Sequence, residues 1–420
     1  MRRLIPFLLF TIALSAQTPT SDWPQFFGPT RNGVYTGPPI SEKWPAAGPK
    51  VLWRRDVGEG FAGPVVAQGH VVLFHRQGGR EIVEAFDPNT GTTQWKYDYP
   101  TTYRDDFGFD EGPRAAPVVV DGVVYTFGAE GKLNALALAT GKPIWSEDTA
   151  KRFGVDKGFF GAAGSPIVED GRVVANVGGK EGGIVAFDAK TGKVLWTATK
   201  DEASYSSGIA TNIGGKRTLV FLTRANLVGL EPATGKVLFQ KRWRALQAAS
   251  VNAATPVIVN DPMGDLIFIS AEYGPGAGVF RIGSSSTGAT LTPLWANDET
   301  LNNHYATPVY RDGILYGFHG RQEYGQSFRA VELRTGKVRW SEERFLAGSV
   351  MLVGDKLLIL REGGELVLAS ATPEGFRPIT RAQIFPASGM PVARAFPALA
   401  GGLLYARNVN KALVCLDLRR

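Results

Sequence analysis

The stretch Ala186-Phe187-Asp188-Ala189-Lys190-Thr191-Gly192-Lys193-Val194-Leu195-Trp196 decides the fold. A short apolar strand ends at Asp188, Thr191-Gly192 supplies a tight turn, and Val194-Leu195-Trp196 opens the next strand with bulky β-formers. Weaker copies run along nearly the whole chain. They read Ala85-Phe86-Asp87 with Thr90-Gly91 and Trp95, Thr140-Gly141-Lys142 with Trp145, Thr234-Gly235-Lys236 with Phe239 in place of Trp, and Thr335-Gly336-Lys337 with Trp340. A longer turn through Thr287-Gly288 leads to Trp295.

Upstream of these copies, a small residue and a proline open a strand, as at Gly63-Pro64, Ala116-Pro117, Ser165-Pro166, Thr255-Pro256 and Thr307-Pro308. Asp121-Gly122, Asp170-Gly171 and Asp312-Gly313 then mark a first hairpin, and Gly214-Gly215 does so in the fourth unit. A seventh unit, from about Ser349 to Ile384, keeps the strands but loses the Thr-Gly-Lys and Trp signals. An eighth opens at Phe396-Pro397 and stops near Leu416-Asp417, one strand short. Lys50-Val51-Leu52-Trp53 is the complementary fragment, a last strand without predecessors.

A period of roughly 42 to 53 residues with four strands per unit is that of a propeller blade. The chain is therefore predicted to be all-β: an eight-bladed β-propeller of four-stranded antiparallel blades over residues 50–420. The strand at about 50–55 should close the ring against the C-terminal blade. A pair of β-sandwiches accommodates the strands but not the period or the complementary broken ends.

Composition agrees with many short strands and tight turns, since 51 of 420 residues are Gly and 26 are Pro. Residues 1–16 pair Arg2-Arg3 with an apolar run from Leu4 to Leu14 and end in Ser15-Ala16, which reads as a secretory signal peptide. That run is short of the roughly 20 residues a membrane span requires. No cysteine lies near the expected cleavage point, so an exported, soluble, periplasmic or extracellular protein without a lipid anchor is expected. Residues 17–49 form a leader rich in aromatics, Pro and Gly, and its aromatic content predicts order. Cys415 is the only cysteine, so no internal disulfide is available. The net charge of +7 is scattered and accompanies no nucleic-acid motif.

The pattern AxDxxTGKxxW, whole at Ala186, Asp188, Thr191, Gly192, Lys193 and Trp196, resembles the tryptophan-docking repeat of quinoprotein dehydrogenase propellers and their non-enzymatic relatives. The resemblance implies that Trp53, Trp95, Trp145, Trp196, Trp295 and Trp340 dock between blades and are structural. The dehydrogenases carry adjacent cysteines beside pyrroloquinoline quinone and hold Ca²⁺ with oxygen ligands. Cys415 stands alone, no such ligand set can be placed, and no haem-binding Cys-x-x-Cys-His occurs. The chain is more similar to the propeller of the outer-membrane barrel-assembly machinery, a protein-binding family, although that family is usually lipidated. A non-enzymatic scaffold without cofactor or metal is the first expectation. The alternative is a dehydrogenase of alcohols or sugars using the quinone with Ca²⁺.

Strand order alone separates two faces. The Asp-Gly and Thr-Gly turns share one, displaying Lys142, Lys193, Lys236 and Lys337. Loops after second strands and crossings between blades share the other. There the sequence collects His75, Arg76, Arg114, Arg224, Glu272, Tyr273, Asn303, His304, His319, Arg321, Arg361 and Arg407, a predicted recognition surface for a protein loop or a small anion. Arg104, Asp105, Asp106, Asp110, Glu111, Glu362 and Asn408 fall there too. His304 and His319 lack the spacing of a metal pair. No catalytic triad, P-loop or dinucleotide fingerprint is present, and a monomer is expected.

Overall fold

The computed structural model describes residues 21–247, 252–285, 288–387 and 393–420; the predicted signal segment 1–16 and Thr287 lie outside the described residues. Eight antiparallel four-stranded sheets follow one another along the chain. In blade 1 the strands are Val65–Ala67, His70–Gln77, Arg80–Phe86 and Thr93–Pro100, paired in sequence order. The short first strands of most neighbouring blades touch one another and so surround the axis. Blade 8 is composite. Its strands Ala398–Ala400, Leu403–Arg407 and Ala412–Asp417 are completed by Lys50–Asp56, with Trp53 opposite Cys415. The ring thus closes as the broken repeat predicts, and it leaves no unpaired sheet between the ends of the chain.

Local chemistry explains each turn. Asp121-Gly122, Asp170-Gly171 and Asp312-Gly313 have positive φ at both positions, 49° and 74° in the first pair, which gives two-residue hairpins matched to strand twist. In the second turn, Asp188 Oδ1 accepts hydrogen bonds from Lys190 N, Thr191 N and Thr191 Oγ1 at 3.1, 2.8 and 2.8 Å. Gly192, at φ 70°, donates its N–H to the Asp188 carbonyl at 2.8 Å. These bonds hold the Asp188 carboxyl below the usual carboxylate range, with the Thr191 hydroxyl contributing most. Glu332 and Thr335 make the same side-chain contact in blade 6 at 2.7 Å.

All eight blades carry a β-bulge between the third and fourth strands. The skipped residues are Leu52, Gln94, Ile144, Leu195, Leu238, Leu294, Arg339 and Ile379, each immediately before the position of the docking aromatic. A bulge re-aims the side chain that follows it. Here it turns the indole toward the next blade. Trp95 Nε1 donates to Leu138 O at 2.6 Å, Trp145 to Ala189 O at 2.9 Å and Trp295 to Leu333 O at 2.8 Å. Trp53, Trp196 and Trp340 reach Pro88 O, Pro232 O and Thr372 O in the same way. For each of them except Trp340 the ring lies over the turn glycine of the next blade, so closely that a Cβ on Gly141 would stand 2.4 Å from Trp95. Each of the six indoles thus bonds a backbone carbonyl of the following blade.

Two junctions depart from the rule. Phe239 has no N–H to donate, and at the junction between blades 4 and 5 the long hairpin of Gly276–Ser285 and Gly288–Asn297 packs against the outer strand of blade 4. Trp243 meets Phe280 edge-on at 5.6 Å within that cluster. Between blades 7 and 8, where Thr380 occupies the aromatic position, the leader residues Ile40 and Trp44 join the core that spans both blades. Among the described residues the only helical segments are a helical turn, Thr149–Phe153, capped by Asp148 and closed by Gly154 in the left-handed region, and a 3₁₀ turn at Gln322–Tyr324; neither follows from the repeat.

The leader occupies the channel. Trp23 exchanges two backbone hydrogen bonds of 2.8 Å with Val66 on the first strand of blade 1. Val119 of blade 2 donates to Pro24 O, and Leu352 of blade 7 to Gly33 O, both at 2.8 Å. Val34–Tyr35 adds a parallel strand to blade 7. Phe27 packs edge-on against Phe396 at 5.0 Å. Arg31, 3% exposed, reaches Gly208 O at 2.9 Å, Ser165 O at 3.3 Å and Pro166 O, with its Nε on Gln25. One guanidinium thereby ties the stopper to blades 3 and 4. Burial lowers its pKa to about 9, so it remains charged at neutral pH.

Candidate binding site at the loop end of the channel

The crossing from blade 1 to blade 2, residues 101–117, is built around a buried carboxylate. Asp105 accepts from the backbone N–H groups of Phe107, Phe109 and Asp110, each at 3.0 Å, and from Arg114 Nη2 at 3.0 Å. Arg76, itself buried, fixes the same segment by donating to Tyr103 O at 2.7 Å and Glu111 O at 2.9 Å. With its backbone held inward, the loop turns two phenyl rings out: Phe107 is 50% and Phe109 59% exposed. They stack on each other at 6.2 Å, and Phe107 leans on Phe160 of the next crossing at 5.2 Å. Phe160 is backed by Tyr205 at 5.4 Å.

Two arginines join these rings into a series. Arg114 lies over Phe160 at 5.1 Å and over Phe61 at 5.3 Å, while Arg394 lies over Phe61 and over Phe109, both at 5.7 Å. All four distances fall within the reach of a cation–π contact. Beneath them opens a cleft of about 100 Å³, lined by Phe26, Phe61, Arg114, Tyr305, Ser349 and Arg394. Its floor is the leader, through Phe26 against Phe396 at 5.7 Å. Arg394 Nε stands 3.4 Å from the Glu362 carboxylate, which also accepts from the Tyr305 hydroxyl. Burial raises the pKa of Glu362, and the Arg394 charge acts against it.

The predicted site residues divide by depth. His75 is fully buried, with Nδ1 accepting from Gly58 N at 3.0 Å and Nε2 against Glu84 at 3.1 Å; burial lowers its pKa. Arg407 is 1% exposed and donates to Gly58 O at 2.7 Å; burial lowers its pKa to about 10. Asn303 is buried, donating to Ala306 O at 2.7 Å and accepting no part in an open surface. These three, with Arg76, belong to the inner frame of the loop end. Their position in sequence gave the correct end of the channel but the wrong depth, because neither strand alternation nor loop assignment reveals a buried polar partner.

A second cluster stands on the other side of the mouth. His304 bonds Gln322 through Nδ1 at 2.6 Å and meets Tyr273 edge-on at 5.3 Å. Arg321 lies over Tyr273 at 4.5 Å and over Tyr324 at 5.2 Å. His319 Nδ1 accepts from Asn302 N at 3.1 Å, and burial together with the Arg329 charge lowers its pKa to about 4. Arg361 donates to Phe345 O at 2.8 Å and pairs with Glu365. Arg224 pairs with Glu202 at 2.6 Å. Glu272 follows the second strand of blade 5, Leu266–Ala271, next to Tyr273. Among the described residues, no three His, Cys, Asp or Glu side chains converge on a metal position. The sequence reading missed Phe61, Phe107, Phe109, Phe160 and Arg394; the signal available was Phe107-Gly108-Phe109 beside four acidic residues, a loop too apolar for a solvated turn.

An eight-bladed ring of four-stranded blades with an indole bonded across most junctions defines the class of quinoprotein-like propellers. Residues 34–102 and 79–342 match the profile of the family described as outer membrane protein assembly factor BamB, and the chain belongs to that family. It is 25% identical to BamB of Yersinia pestis over 64% of this chain and 64% of that one. It is 33% identical to an alcohol dehydrogenase (quinone) dehydrogenase subunit of Komagataeibacter europaeus over 66% of this chain and 46% of that one. A quinohemoprotein alcohol dehydrogenase of Comamonas testosteroni is 33% identical over 32% of this chain and 19% of its own length. The matched part thus spans less than two thirds of each of these relatives. Among solved structures, BamB from Moraxella catarrhalis superposes with a TM-score of 0.60 at 14% identity, covering 88% of this chain and 97% of that one. The Comamonas enzyme gives 0.62 at 14%, covering 95% and 81%.

The quinone site that the resemblance implies does not fit the described residues. Cys415 is buried in the third strand of blade 8 opposite Trp53, away from the channel mouth, and has no neighbouring cysteine. The cleft is small beside the roughly 300–1,000 Å³ of pockets that hold drug-sized molecules, and among the described residues no three His, Cys, Asp or Glu side chains come together there.

Proposed function

We propose that this protein is an exported, non-enzymatic propeller that binds a protein partner in the cell envelope through the loop end of its channel. One observation carries the reading: exposed aromatic rings, backed by arginines and held by a buried carboxylate, sit above a channel stoppered by the chain's own leader. Aromatic residues and Arg are the types enriched at the centres of protein interfaces. Membership of the BamB family, whose description is that of an assembly factor, supports the same reading.

The test is cross-linking of the intact protein in envelope preparations, followed by mass spectrometry. Partner cross-links should concentrate on residues 101–117 and 154–164 and should fall at least tenfold in the double variant Phe107→Ser, Phe109→Ser. Equal capture by that variant would refute the reading. Incubation with pyrroloquinoline quinone and Ca²⁺ should give no alcohol-dependent dye reduction; turnover would establish the dehydrogenase instead.

A further inference from the structure

We propose that the cleft beneath the aromatic and arginine series is a carboxylate-binding site, with Arg114 as its principal donor. The inference deepens the binding function proposed above by naming a chemical class and a position. Arg114 lines the cleft, and its side chain is 10% exposed. Nη2 is used by Asp105 and the Asp110 carbonyl, at 3.0 and 3.2 Å, whereas Nη1 is buried and has no hydrogen-bond partner. A guanidinium has five N–H donors in a fixed fork, and a buried donor left without an acceptor carries a desolvation cost. An acceptor that reaches Nη1 from the cleft removes that cost.

The surroundings select the acceptor. Arg394 presents a second guanidinium to the same cleft, while Phe61 and Phe26 supply apolar walls and Ser349 a hydroxyl. Two planar cations match a planar anion with two oxygens, which is the geometry of a carboxylate. The apolar walls suit a short hydrocarbon stem. A cleft of about 100 Å³ suits a compact acid head group. Asp105 and Glu362 are both engaged with the arginines, so they orient the forks without filling the cleft.

The test is ligand-observed NMR titration of the intact protein with propionate, with an N-acetylated tripeptide ending in a free alanine carboxylate, and with the C-terminal amide of that peptide. Binding of propionate or of the free-acid peptide, with the amide at least tenfold weaker, is expected. Propionate alone identifies free acids as the source, and preference for the peptide identifies a chain terminus. Arg114→Gln should weaken binding at least tenfold, and Arg217→Gln, an ion pair with Glu169 on the turn side, should leave it unchanged. Should Arg114→Gln fail to fold, Ser349→Trp fills the cleft from another wall and should abolish binding. Absence of binding by both acids, or equal binding of acid and amide, overturns the site. Because no protein partner is present in this titration, its failure is separate from any failure of partner cross-linking.

Discussion

The two ends of this propeller obey different rules. At the turn end, the same contact is repeated: a bulged strand throws an indole across to the next blade, where its N–H meets a carbonyl and its ring covers a turn glycine. At the loop end no two crossings agree. One is organised by Asp105, another begins with the helical turn Thr149–Phe153, and a third sets His304 against Tyr273 and Gln322. Repetition serves cohesion, and divergence leaves room for recognition, as in other rigid scaffolds that carry function on loops.

The contrast can be broken most forcefully at the turn end. Trp95→Ala removes a ring that is 8% exposed and its bond to Leu138 O, and should cost about 3–5 kcal/mol in urea or guanidinium unfolding. A loss below about 1 kcal/mol would show that the blades cohere without their fasteners. A smaller effect is expected where the leader is tied in. Arg31→Lys keeps the charge but loses the fork that spans Ser165, Pro166 and Gly208, at about 1–3 kcal/mol by the same measurement. No change would mean that the stopper is held by its backbone alone.

A third effect belongs to the loop end and appears only in acid. His319 is neutral in the fold, accepts from Asn302 N, and is held at about 4 against an ordinary 6.5. The unfolded chain therefore binds the proton first. The contribution is complete above pH 6.5, and it is lost progressively as pH falls toward 4. His319→Gln should flatten the decline in melting temperature between pH 6.5 and 4; an unaltered slope would assign the acid sensitivity to another group.

Much of the architecture was legible because it rests on local chemistry that recurs. Asp188, Thr191 and Gly192 build their turn from bonds among themselves, and Trp196 stands at a fixed distance from that turn, so period, blade number and ring closure could be read by counting. The bulges were not legible, since nothing in Val194-Leu195-Trp196 marks Leu195 as the skipped residue until its partner strand is known. The leader's route was hidden for a related reason. Arg31 binds carbonyls that carry no side-chain signature and lie on three separate residues of distant blades. At the site, loop assignment found Arg114 and Arg321 but counted His75, Asn303 and Arg407 as surface, because burial of a polar group depends on partners supplied from elsewhere in the ring. Phe239 and its replacement by a longer hairpin show the converse, a missing signal whose structural remedy lies in the next unit.

The composite blade has a consequence for the order of events in folding. Strand Lys50–Asp56 is synthesised long before its partner, Ala412–Asp417. The Tyr35 hydroxyl accepts from the Gly402 amide across 367 positions of sequence. Contacts of such separation form slowly, because the entropy of closing the intervening loop must be overcome before they return any stabilisation. Until the C-terminal strands arrive, the early strand and the aromatic leader have apolar surface to hide and no blade to hide it in. Closure of blade 8 is therefore a slow, latch-like step.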